Sequence, residues 1–259
     1  MPTLSETLHN EAYVASRLQP RWRDEHCLIL QDILGMVRPF AAEVQGSLFD
    51  YGSGGGPYRS LFRGITRYVR ADITPGPNVD CRLLPNGLTE EPADHYDAIL
   101  STQVLEHVPD PAAYLRECWR ILRPGGRLLL TTHGMFEEHG CPYDFHRWTA
   151  VGLENATQAA GFMIERSTKL TTGPRGSLQI WHYLIGGLRA PGQPFWKALF
   201  AVIRRLHFWT GVPVLNALAA AFAADGVVDA RHPAAIYVGV GVVARKPAPG
   251  VSGPGPRSS

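Results

Sequence analysis

Asp50-Tyr51-Gly52-Ser53-Gly54-Gly55-Gly56-Pro57 is the stretch on which the fold of this 259-residue chain turns. The residues before it, Ser47 to Asp50, read as a short buried strand. Glycines let the backbone leave that strand sharply and let a ligand come close. Pro57 suits the first turn of a helix, with Tyr58, Leu61 and Phe62 as its apolar face, and such a helix offers free N–H groups to an anion. Asp72 lies 20 residues beyond Gly52, at the end of a second predicted strand, Tyr68–Ile73. A carboxylate there can accept both hydrogen bonds of a ribose diol.

Working outward, the chain keeps alternating strand and helix. A helix is expected over Cys27–Val44, before the turn. Tyr96–Thr102 (YDAILST) is a third strand. Asp110-Pro111 supplies an N-cap and a first-turn proline, and Leu115, Cys118, Trp119 and Leu122 share one helix face. Arg123-Pro124-Gly125-Gly126 ends that helix, and Arg127–Thr132 is a buried strand. Thr149 caps a further helix that Gly161 stops. Phe162–Thr168 and Ile236–Ala244 are the last strands. This order predicts an α/β fold with a doubly wound, mostly parallel sheet, and ligands in such sheets sit at the carboxyl ends of the strands.

A nicotinamide fingerprint wants glycine where Pro57 stands. The turn instead resembles the Asp-x-Gly-x-Gly-x-Gly motif of class I S-adenosylmethionine (SAM) methyltransferases. Tyr96-Asp-Ala-Ile-Leu-Ser-Thr-Gln-Val-Leu-Glu-His-Val108 is similar to the fourth strand and following loop of their type 11, ubiquinone-biosynthesis-like branch. Cys118-Trp-Arg-Ile-Leu-Arg-Pro-Gly-Gly-Arg-Leu128 resembles that branch's helix–turn–fifth strand. The resemblance covers about Ser47 to Thr132. It implies a Rossmann-like methyltransferase fold with a seven-stranded sheet, and SAM as cofactor. It further implies that Asp50, Gly52, Ser53, Gly54 and Gly56 line the methionine end, and that Asp72, with Ile73 beside it, holds the ribose. Gln103 would face the cofactor and Leu105 would border the pocket, while Glu106 and His107 would fix their loop. For the adenine, Asp80–Pro85 and Gly87–Thr89 compete, and Gly87 and Leu88 are taken as its lining.

Methyl transfer to oxygen gains from a general base, and histidine suits neutral pH. His133, at the end of the fifth strand, is the first candidate and His146 the second. His139 to Thr149 (HGCPYDFHRWT) resembles a loop of methyltransferases from glycan and glycoconjugate gene clusters, which implies an oxygen of a small molecule, sugar or glycoconjugate as acceptor. The alternatives are a methyltransferase of quinone or lipid metabolism and a non-catalytic SAM-binding scaffold. In the loop itself, Asp144 and Arg147 either serve the site or only pair to shape it. No metal site is expected, because the histidines at 133, 139 and 146 lack helical ligand spacing with acids.

The formal charge of +2 excludes a bulk polyelectrolyte role, and nucleic acid is not an expected partner. Cys27, Cys81, Cys118 and Cys141 form no Cys-x-x-Cys, so neither a zinc ribbon nor a disulfide framework is expected. With no apolar signal segment at the start, a cytoplasmic setting is the expectation. The charge is unevenly spread: from Arg166 to Ala224, 59 residues hold seven bases and no acid. The expected organisation is an N-terminal arm (1–26), a SAM-binding core (27–169), a helical insertion (170–235), a last core strand (236–245) and a disordered tail (246–259). The insertion is a lid, a homodimer face or a peripheral membrane contact through 195–224. Gly211, Pro213 and Asn216 interrupt its apolar run.

Overall fold

Each central strand carries two alternating apolar sets, and a helix layer buries each set. The computed structural model describes residues 4–189 and 192–250. In chain order the elements are α1 (Leu4–Leu18), α2 (Cys27–Glu43), β1 (Gly46–Tyr51), β2 (Ile65–Asp72), β3 (Cys81–Arg82), β4 (Tyr96–Thr102), α3 (Pro111–Ile121) and β5 (Leu122–His133). There follow α4 (Ala150–Ala159), β6 (Met163–Thr172), α5 (Gly173–Gly186), α6 (Pro194–Leu206), α7 (Val212–Ala219), β7 (Val227–Asp229) and β8 (Tyr237–Arg245). On one face Leu48, Leu100, Leu129 and Val243 meet Ile33, Val37 and Phe40 of α2. On the other, Phe49, Ile99, Leu128 and Val242 meet Leu115, Cys118 and Ile121 of α3 and Leu153 of α4. Burying each such side chain is worth about 1.5–3 kcal/mol. A one-residue slip would move a whole set to the wrong face, so register is strongly held.

The sheet order is β3-β2-β1-β4-β5-β8-β6-β7. Strands β3 to β5 run parallel, β8 is antiparallel to both β5 and β6, and β7 is antiparallel to β6. The mostly parallel, doubly wound expectation holds, with eight strands instead of seven. The additional one is β7, a three-residue edge strand inside the segment read as helical. The chain leaves β1 in one direction through β2 and β3 and in the other through β4 and β5. The crevice between those two directions is the ligand position of such sheets.

Four expectations are corrected. The helix after the glycine turn is a single 3-10 turn, Arg59–Leu61, because β2 begins at Ile65 and leaves no room for more. Residues 4–18, read as part of a loose arm, are the helix α1. The insertion is helical from Pro194 to Asp225, passing through a π turn at His207–Gly211. The interrupting residues are accommodated there: Pro213 falls in the first turn of α7, and buried Asn216 donates to Trp22 O and Asp24 O. Finally, the tail does not begin at Lys246, which is only 4% exposed. Its ammonium donates to Trp119 O and Leu122 O, both at 2.8 Å, lies 2.5 Å from Asp94 Oδ1 and sits 3.8 Å over the Trp119 ring. Residues 251–259 of that expected tail lie outside the described residues.

The Lys246 contacts make it part of the core. Lys246→Ala leaves two carbonyls without their donor and should cost about 2–3 kcal/mol. Urea unfolding checks this, and a tail-like residue would change stability by less than about 0.5 kcal/mol.

Candidate active site

The glycine turn is shaped by what it must avoid. Gly52 has φ +72°, and a Cβ there would lie 2.5 Å from Val104 Cγ2. The N–H groups of Gly52 and Ser53 both donate to Ala71 O, which fastens the turn to the end of β2. Gly54 N donates to Asp72 Oδ2 and Thr74 N to Asp72 Oδ1, each at 3.0 Å, so the Asp72 carboxylate is held in place. Asp50 lies beneath the turn, 2% exposed, and accepts a 2.7 Å hydrogen bond from Tyr68 OH. Burial pushes its carboxyl up to about 7, with the charge of Asp72 adding to the rise and the Tyr68 hydroxyl and Arg70 opposing it.

The carboxyl ends of β1, β2, β4 and β5 open onto a cleft of two lobes, about 410 and 390 Å³ in volume, which share Gly52, Gln103 and His107. The first lobe is walled by Tyr51, Asp72, Ile73, Leu83, Pro85, Asn86 and Gly87. The second is walled by Ser53, Gly54, His133 and His139 together with Tyr13 and Arg17 of α1 and His26, Ile29 and Ile33 at or in α2. The residues fit SAM. Ser53 Oγ and Gln103 Oε1 are buried without a hydrogen-bond partner among the described residues, two acceptors awaiting a donor such as the cofactor's ammonium. Gln103 is held at φ +56° at the end of β4, with its amide donating to Thr131 Oγ1.

Of the site residues named from sequence, Gly52, Ser53, Gly54, Asp72, Ile73, Gly87, Gln103 and His133 line the cleft. Asp50, Gly56, Leu88, Leu105 and His146 do not. Asp50 supports the turn from below, and Leu105 is fully buried in the core. Both adenine candidates contribute in part, through Leu83 and Pro85 and through Gly87. The Asp80 carboxylate is taken up by Arg70 at 2.8 Å.

Glu106 and His133 form the centre of the second lobe. Glu106 is fully buried; its Oε2 accepts from Thr132 Oγ1 at 2.8 Å, and its Oε1 lies 3.0 Å from His133 Nε2. That close pair is out of line for a hydrogen bond, so Glu106 Oε1 has no hydrogen-bond partner among the described residues, and neither does His133 Nδ1. Burial, the largest influence on Glu106, pushes its carboxyl up. The contact and charge of His133 and the Thr132 hydroxyl outweigh burial and hold it below the ordinary value. The His133 ring stacks on Phe136 at 3.8 Å, and Phe136 packs on Tyr183 of α5.

The loop after β5 is knotted by its own ions. Arg147 pairs with Asp144 at 2.6 and 2.7 Å and donates to Phe136 O and Glu137 O, while Asp144 accepts from His139 N. Asp144 and Arg147 thus shape the loop. His146 sends its backbone N–H to Glu106 O, at 3.2 Å. Sequence reasoning missed Tyr13, Arg17 and His26, which belong to the segment read as an arm, and the pairing of Glu106 with His133. Neither has a local signal, since the pair is joined across 27 positions only by the fold.

The Asp50 carboxyl makes apo stability pH-dependent. Its value is raised on folding, so the folded state holds the extra proton, and stability falls as pH rises from about 4 through about 7. Against Asp50→Asn, the wild type should lose stability progressively over that window. Parallel melting curves of the two proteins from pH 5 to pH 8.5 would refute the shift.

A family model described as a methyltransferase domain matches residues 21–167, more than half of the chain. The ubiquinone biosynthesis O-methyltransferase of Xanthomonas axonopodis pv. citri is 33% identical over 118 residues, 40% of this chain and 48% of that protein. The chain thus spans about half the length of that curated relative. The [4+2]-cyclase SpnF superposes with a TM-score of 0.51 at 18% identity over 95% of this chain and 97% of that one. Haemonchus contortus phosphoethanolamine N-methyltransferase 2, in complex with phosphomonomethylethanolamine and S-adenosylhomocysteine, gives a TM-score of 0.51 at 15% identity over 95% of this chain and 61% of that one. At such identities these structures speak for the fold alone. With the family match, the sheet order and the glycine–Asp72 turn in agreement, the chain belongs to the methyltransferase-domain family, the class I SAM-dependent methyltransferases.

Proposed function

We propose that this protein transfers a methyl group from SAM to a hydroxyl oxygen of a small-molecule, sugar or glycoconjugate acceptor. The observation that carries the reading is the continuous cleft. Its first lobe holds Asp72 and Gly87, and across Gly52 and Gln103 it opens onto a second lobe where His133 is backed by buried Glu106. SAM, when bound, supplies a methyl carbon already activated on a sulfonium. What the chain must do is hold two molecules in line and favour loss of the acceptor's proton. Asp72 would take the ribose hydroxyls, Ser53 Oγ and Gln103 Oε1 the ammonium, and Tyr51, Leu83 and Gly87 the base. The acceptor would enter beside His26, Phe136 and Tyr13, with its oxygen against His133. The names of the curated relatives support oxygen as the atom methylated.

Calorimetry should show SAM binding and no NADH binding; the opposite result would overturn the reading. His133→Ala should lower kcat by about a hundredfold or more while leaving SAM affinity within about threefold. His146→Ala should leave both unchanged, because its ring does not line the cleft.

We further propose that the insertion rests on an anionic membrane surface, as a quinone- or lipid-linked acceptor would require. Among the described residues, α6 buries none of its side chains, although Phe195, Trp196, Val202 and Leu206 are apolar and exposed. Pro194–Asp225 is long and apolar enough to cross a bilayer by length and composition. Its charges are Lys197, Arg204, Arg205 and the closing Asp225, a pattern that suits a helix lying in an anionic interface. The protein should sediment with phosphatidylglycerol vesicles at low salt, and Arg204→Glu with Arg205→Glu should release it. Failure to bind, together with concentration-dependent dimerisation, would assign the face to a second copy instead.

A further inference from the structure

We infer that Glu106, His133 and His139 bind one divalent transition-metal ion at the floor of the acceptor lobe. One donor atom from each lies within 4.8 Å of the others, so that small side-chain shifts would bring all three onto one ion. Two of the three are buried, and His139 is partly so. Glu106 carries the decisive feature: it is fully buried, yet its Oε1 points into the cluster with no hydrogen-bond partner among the described residues. His133 Nε2 lies 3.0 Å from it, out of line for a hydrogen bond.

Around His139 the outer shell has the arrangement that orients a metal-binding imidazole. His139 Nδ1 faces Glu137 O at 3.2 Å and Asp144 Oδ2 at 3.5 Å, so that nitrogen carries the proton and Nε2 keeps its lone pair. His107 stands beside it in the same sense, its Nδ1 2.6 Å from Tyr143 O and its Nε2 4.0 Å from Glu106 Oε1, within reach as a further ligand. Two imidazoles and one carboxylate suit Zn²⁺ or Co²⁺ better than Mg²⁺, which prefers oxygen. Three protein ligands leave a position open on the cleft side, where an acceptor hydroxyl would bind and lose its proton to water more readily. The inference rests on the methyltransferase reading for that acceptor, and it gives His133 its way of favouring proton loss.

The test is Co²⁺ titration of chelator-treated, full-length protein, followed by visible absorption and by metal analysis after gel filtration, with SAM binding measured on the same samples. About one equivalent should be retained, with the intense bands of low-coordinate Co²⁺. His139→Ala, at the partly exposed ligand, and the isosteric Glu106→Gln should each weaken Co²⁺ by at least about tenfold while SAM affinity is kept, and His146→Ala should bind like the wild type. Retention of no Co²⁺, or equal binding by the wild type and His139→Ala, overturns the inference. Co²⁺ binding without SAM binding would instead sink the methyltransferase reading and leave the metal site standing.

Discussion

The buried carboxylate of Glu106 is the constraint around which the site is assembled. An unpaired charge in the interior is strongly unfavourable, so the end of β5 is drawn against it. Thr132 and His133 arrive from the end of β5 against the carboxylate, and the 139–147 loop is fastened to the backbone of the same residue, the N–H groups of Phe145 and His146 donating to its main-chain carbonyl. Because Glu106 sits three residues past Gln103, the same contacts tie the end of β4 to the end of β5. Glu106 therefore helps to fix the two lobes relative to each other, from behind the residues they share. Methyl transfer depends on alignment above all, so this is where rigidity matters most.

The family match covers β1 to β5, the cofactor turn and most of the wall of the second lobe, and two further contributions come from elements beyond it. Tyr13 and Arg17 come from α1, and Tyr183 of α5 supports Phe136. A buried ion pair holds α5 in place: Arg175 grips Asp32 of α2 at 2.9 and 3.0 Å, and Thr171 donates to the same carboxylate. A second buried contact, His182 with Asn216 at 3.1 Å, seats α7 against α5. The acid-free segment is thus anchored by a few inward polar groups while its apolar outer face stays uncovered.

Much of this was legible in the linear chain. The strand-glycine turn, Asp72 at the end of the next strand and the Tyr96–Thr102 strand each carry a local pattern, and they fell where their spacing placed them. His133 was legible because a strand end in a doubly wound sheet faces the ligand. Less legible was which residues of the 80–89 stretch line the first lobe, since Leu83 and Gly87 reach the cleft from a loop whose course depends on β3 pairing with β2. The helix after Pro57 was over-read. The composition permits one, but the parallel pairing of β1 with β2 from Gly46 leaves too few residues to build it.

The sequence by itself determined the fold class and the cofactor half of the cleft, because periodicity, glycine geometry and one carboxylate act over short stretches of chain. Only the tertiary structure decided the acceptor half. Glu106, His133 and His139 lie far apart or out of register along the chain, and no helical spacing joins them. The loop between β5 and α4 folds back on Glu106 because buried polar groups need partners. Those partners are chosen by packing in three dimensions, which no local pattern records.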